Sequence, residues 1–240
     1  MRIDLKAPEN WNEVTAEQMR SVARLMNNGS GREECLLLLL CELTGIKIIA
    51  RHTDIGRSHF KDNEGREFDL EDWQVRDFCN RLCFILEEKP PINADWPFKW
   101  DKCLMDTAFG DWFHADALIM RFVQTGDPEN VKKAIRYLGD DRENITDDDP
   151  DITLTMLWYY RFKEWIQTRY PLVFHKTETS SGESPSPVES RRNIMLMLND
   201  GRPQENEAIE KSNMHDVLAA LQHKIEEAKH IEEQMKKYKR

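Results

Sequence analysis

Apolar side chains recur at helical spacing along most of this chain. Met19, Val22, Ala23 and Met26 share one face of a predicted helix from Thr15 to about Asn28. Thr15 and Gln18 stand where they can cap that helix reciprocally. Ser30 and Glu33 repeat the capping pattern before Cys35–Leu43, a helix apolar almost all round and therefore predicted to be central in the core. Gly45 stands where that helix should stop in the left-handed conformation. Ile46–Ala50 reads as a strand, and His59–Lys61 and Arg66–Leu70 flank the turn-rich tetrapeptide 62–65 as a small hairpin.

Further helices are predicted over Leu70–Leu86, Asp111–Gln124, Asp127–Leu138 and Ile152–Arg169. Trp73, Phe78, Leu82, Ile85 and Leu86 define the buried stripe of the first, which Pro90 and Pro91 end. In the last, Trp158, Phe162 and Trp165 fall on one core face, with Tyr159 and Tyr160 turned toward its margin. The pattern then breaks. Residues 175–190 (HKTETSSGESPSPVES) carry too little apolar surface to offset the entropy of ordering their backbone, and they read as a flexible Ser/Pro/Glu linker. Beyond them come a short helix, Arg191–Leu198, and a long one over Glu205–Lys237. The expected architecture is mainly α: a multi-helix body (1–174) with a small β-hairpin element, the linker (175–190), and a tethered C-terminal helical arm (191–240).

The arm carries the strongest candidate site. Met214, Leu218, Leu221, Ile225 and Ala228 follow the 4-3-4-3 spacing of a coiled-coil seam, and Ile231 and Met235 continue it with the register shifted by one residue. An apolar stripe on a tethered helix must be covered by a second copy, a partner or the body itself. Replacing Leu221 and Ile225 with Asp is expected to abolish association and leave the body folded.

Charge narrows the choice of partners. Residues 1–174 hold 23 Lys and Arg against 32 Asp and Glu, whereas residues 191–240 hold 10 against 9. An acidic body repels phosphate backbones, so nucleic acid is not an expected partner. The longest apolar run, Cys35–Cys41, is far too short to span a bilayer, and the N-terminus has no apolar signal region, so a cytoplasmic protein with no membrane partner is expected. Five cysteines without a C-x-x-C pair suit reduced, packed thiols.

No catalytic or cofactor-binding signature emerges, and no cofactor or metal is expected. His114 and Asp116 are spaced i, i+2, which does not place two ligands on one helix face. The acidic run Asp140–Asp151 lacks the sixth-position glycine and terminal glutamate of a calcium loop, and reads as a solvated connector. Cys79 and Cys83, one turn apart, suit packing on one face. The alternative reading is a small metal-dependent hydrolase using Asp106, His114 and Asp116, or a regulatory adaptor modified on its Ser-Pro linker.

Three phrases resemble the prophage tail-assembly (tape-measure chaperone-like) proteins. They are Pro8–Gln18 (PENWNEVTAEQ), Phe109–Asp116 (FGDWFHAD), and Leu157–Trp165 (LWYYRFKEW) closed by Tyr170–Phe174. The resemblance implies a non-enzymatic assembly or chaperone-like role in a phage-type tail system. It also implies helix-mediated binding to a protein partner, such as a long helical tail protein, or self-association.

Overall fold

In the computed structural model, which describes residues 5–28, 30–142, 144–174 and 187–238, the first helix starts where its cap predicts. The Thr15 hydroxyl accepts from the Gln18 amide, and the Gln18 side chain accepts from the Thr15 amide at 2.9 Å, opening α1 (Ala16–Asn27). Ten α-helices and one three-stranded antiparallel sheet occur among the described residues, so the protein is mainly helical with a small β element. None of those helices is long and apolar enough to cross a membrane. The chain divides into two compact units: residues 1–97 with 148–161, and residues 98–147 with 162–240.

In the first unit, α1 packs on α2 (Arg32–Thr44), whose Leu39 and Leu40 are fully buried. Ser30 does not cap α2 as expected. Gly31 occupies the cap position and no side chain bonds to the first turn. The predicted stop at Gly45 forms, with φ at +73°, and a Cβ there would fall 2.2 Å from the Asn63 side-chain nitrogen. The conformation favours glycine, while the Asn63 side chain could swing away from a larger residue.

The β element is larger than a hairpin. Strands β1 (Lys47–His52), β2 (Arg57–Lys61) and β3 (Glu67–Glu71) pair in the order β1-β2-β3. Ser58, Phe60 and Leu70 fill its buried face, with Phe60 stacked on Phe68 at 5.9 Å. The opposite face matches each basic β2 residue with a β3 carboxylate: Arg57 with Glu71, His59 with Asp69, Lys61 with Glu67. Cross-strand charge pairs of this kind fix register.

The helix expected over Leu70–Leu86 is two shorter ones, α3 (Asp72–Arg81) and α4 (Phe84–Glu87). Leu70 belongs to β3, and the Gln74 side chain accepts from the Glu71 amide, so the helix starts two residues late. Trp73 therefore leaves the expected stripe. It is 64% exposed, its indole N–H donating to Glu71.

In the second unit, α5 (Phe109–Thr125) and α6 (Pro128–Tyr137) form an antiparallel pair. Gly126, at φ +70°, closes the first helix, and Asp127 caps the second, with Pro128 at its opening position. Helix α7 (Pro150–Arg169) gives residues 150–161 to the first unit and 162–169 to the second. Trp158 and Phe162 are buried as expected, and Tyr159 is buried as well rather than marginal. The second unit is completed by α8 (Pro187–Leu198), α9 (Asn206–Lys211) and α10 (Met214–Tyr238). Of the expected linker, residues 175–186 lie outside the described residues and 187–190 are already helical.

The acidic connector is not simply solvated. Its ends, Asp140 and Asp151, are both buried. Asp140 accepts from the Arg142 guanidinium at 2.9 Å, and Asp151 accepts from Arg20. Each buried carboxylate has a hydrogen-bonded cation, as burial of charge requires.

Candidate protein-binding surface

The expected continuous helix over Glu205–Lys237 breaks at Ser212 and Asn213, and the break anchors the start of α10. The Asn213 side chain accepts from the His215 amide at 2.8 Å, a helix N-cap that satisfies one of the amides the first turn leaves free. On the other side, residues 212–214 run beside the start of α5. The Phe109 amide donates to the Ser212 carbonyl at 2.8 Å and the Met214 amide to the Thr107 carbonyl at 2.9 Å. Ala108 and Asn213 form an antiparallel bridge between them, and the Asn213 amide nitrogen also donates to the Met105 carbonyl.

His215 completes this clasp. It is buried, with Nε2 at 2.9 Å from the Cys103 carbonyl and Nδ1 at 3.0 Å from the Tyr170 hydroxyl. A carbonyl only accepts, so Nε2–H donates to Cys103, and the Tyr170 hydroxyl, beside Nδ1, also donates to the His215 carbonyl at 3.3 Å. Trp165 stands edge-on to the ring at 5.7 Å. Further along, Lys224 reaches the Met197 carbonyl at the end of α8 at 2.8 Å and Asp200 at 2.5 Å, holding the Asp200 carboxyl below its usual range. A cation at a helix C-terminus is favourable in its own right.

These anchors divide the seam. Met214, Leu218 and Leu221 are buried, Leu221 to 3% exposure, where α10 packs on α5 and α8. Ile225 is half-buried and Ala228 exposed. Ile231 and Met235 are 57% and 56% exposed, and Tyr238 next to them is 90% exposed. The seven residues read as one stripe thus have two environments. An Asp at Leu221 would sit inside the second unit, so that substitution tests folding; Ile231 and Met235 are the positions that test association.

A half-open apolar groove of about 480 Å³ lies nearby in the same unit, lined by Phe113, Ala117, Met195 and Leu196 with Arg192 at its edge. The first unit has a more polar groove of about 870 Å³, where Arg32, Arg51 and Arg76 alternate with Glu33 and Glu34.

The residues of the hydrolase reading do not converge. His114 bonds through Nδ1 to the Gly110 carbonyl of its own helix and stacks on Tyr137, while Asp116 pairs with Lys163 at 2.8 Å. Asp106 is exposed. Among the described residues no group of three or more His, Cys, Asp or Glu side chains is placed to hold a metal ion. Burial pushes the Cys41 and Cys79 thiols up to about 11.

Sequence reasoning missed the clasp. Its one local signal was Asn213, a strong N-cap residue directly before the apolar Met214–Leu221 run. Nothing in the sequence connects His215 to Cys103 or Tyr170.

In comparisons with protein families, curated proteins and solved structures, nothing matches this chain.

Proposed function

We propose that this chain is a non-enzymatic assembly or chaperone-like protein of a phage-type tail system, binding helical protein partners through the distal half of α10. One observation carries the reading: the apolar stripe of α10 continues past Leu221, its last buried residue, through the exposed Ile231, Met235 and Tyr238. Large apolar side chains presented together on one helix face suit helix-to-helix packing against another protein. The resemblance of the Pro8–Gln18, Phe109–Asp116 and Leu157–Trp165 phrases to tail-assembly proteins supplies the biological setting. The clasp at residues 212–215 suits the role, because a fixed helix root presents its free end with less entropy to lose on binding.

The test is co-expression with a long, aggregation-prone helical tail protein. The full chain is expected to keep that protein soluble and to co-purify with it. The double variant Ile231→Asp/Met235→Asp is expected to lose both effects with an unchanged melting temperature. Capture that survives in this variant would show that the binding surface lies outside α10.

A further inference from the structure

We infer that the distal half of α10 pairs with the same segment of a second copy of this chain, the two helices running antiparallel. The inference rests on reading that stripe as the binding surface, and it names the occupant from charge. The distal helix is electrically split. Glu226, Glu227, Glu232 and Glu233 crowd its first part, with Lys229 among them. Lys236 and Lys237 come after, and the sequence goes on to Lys239 and Arg240. A parallel pair sets carboxylates beside carboxylates and cations beside cations, which is destabilising. Reversing one copy sets Glu226 and Glu227 against Lys237 and Lys236 of the other and opposes the helix dipoles as well.

The apolar positions agree with the reversed arrangement. An antiparallel crossing centred between Ile231 and Glu232 brings Ala228 opposite Met235, and Ile225 opposite Tyr238, so that a small or half-buried residue meets a large exposed one each time. The ion pair already present, Lys236 to Glu232 at 2.6 Å, has both partners well exposed. Such pairs hold little energy and exchange partners readily. The paired segment, residues 225–238, is roughly 20 Å long at the rise of an α-helix. A contact of that size belongs to the weak, concentration-dependent class of interfaces.

Sedimentation equilibrium of the full chain, from micromolar to millimolar concentration, reads the association directly. The wild-type chain is expected to dimerise reversibly. Lys236→Glu/Lys237→Glu makes the distal helix acidic, and Glu227→Lys/Glu232→Lys makes it basic. Each variant alone is expected to associate about tenfold more weakly or worse, and an equimolar mixture of the two to recover association. Thermal melts of both establish that the fold is unchanged. Orientation is read by oxidative cross-linking against the unsubstituted chain: a mixture of Ile225→Cys and Tyr238→Cys is expected to cross-link between copies, and Tyr238→Cys alone is not. A wild-type chain that stays monomeric, charge variants that associate as the wild type does, or cross-linking of Tyr238→Cys to itself each overturns the inference. A monomer that still captures the tail protein through Ile231 and Met235 refutes self-pairing and leaves the proposed function standing. A dimer that captures nothing does the reverse.

Discussion

Arg20 and Asp151 are 131 residues apart in sequence and meet through two parallel hydrogen bonds, Nε to Oδ1 at 2.9 Å and Nη2 to Oδ2 at 3.1 Å. The Asp151 side chain is 1% exposed and that of Arg20 34%. The carboxylate also lies in the first turn of α7, where negative charge is favoured. Asp151→Ala is expected to destabilise the first unit by about 1–3 kcal/mol, below the cost of stranding a fully buried charge because Arg20 keeps contact with water. Urea denaturation of the variant beside wild type measures it. A change under a few tenths of a kcal/mol would mean the pair contributes nothing net.

The two halves of α10 are expected to respond oppositely to truncation of a side chain. Leu218→Ala removes fully buried atoms and should cost about 2–5 kcal/mol. Ile231→Ala, on the exposed half, should stay within about 0.5 kcal/mol. Melting curves of the two variants at low protein concentration make the comparison, and equal losses would contradict the division at Ile225.

His59 lies between Asp69, at 2.8 Å, and Glu67, at 3.3 Å, and its pKa is raised first by the hydrogen bond to Asp69 and then by that to Glu67. With the folded value above the ordinary 6.5, linkage sets the sign: the contribution of His59 is fully present below about 6.5 and fades as pH rises through the folded value. Glu67, lowered by Lys61 and then by His59, acts in the other direction. Its contribution is present above its ordinary value and fades as acid approaches the lowered one. Proton NMR titration of the His59 ring, with Asp69→Asn as the comparison, should show a midpoint above 6.5 that falls in the variant.

Cys41 and Cys79, held near 11 chiefly by burial, carry little thiolate at neutral pH. Alkylation of these two thiols by iodoacetamide at pH 8 is expected to be roughly tenfold slower or more than that of an unstructured peptide cysteine. Peptide mapping after timed labelling reads each site separately. Rapid labelling in the native chain would show that the α2–α3 region opens to solvent.

Local rules accounted for the elements whose determinants are local. The α1 cap and the Gly45 and Gly126 stops each depend on residues within one turn, and all three formed. Where two local signals compete, pattern alone decided wrongly: Trp73 fits a helical stripe, yet the Glu71–Gln74 start directs it to water. The acidic run offered no sign that Asp140 and Asp151 are buried, since the cation that holds Asp151 comes from α1. The candidate site obeyed the same rule. Heptad spacing identified residues that do share α10, but spacing carries no information on what covers a face. The division at Ile225 comes from contacts with α5, α8 and the 103–109 segment, all distant in sequence.

The clasp between residues 103–109 and 212–215 sets the order in which the chain can mature on the ribosome. Helices α5 and α6 emerge long before their partner, so the α5 surface that Met214 and Leu218 will cover stays open until about a hundred further residues are made. The last residues of the first unit are those up to 161. A break in translation before residue 212 therefore leaves a nascent product whose second unit has lost its closing piece.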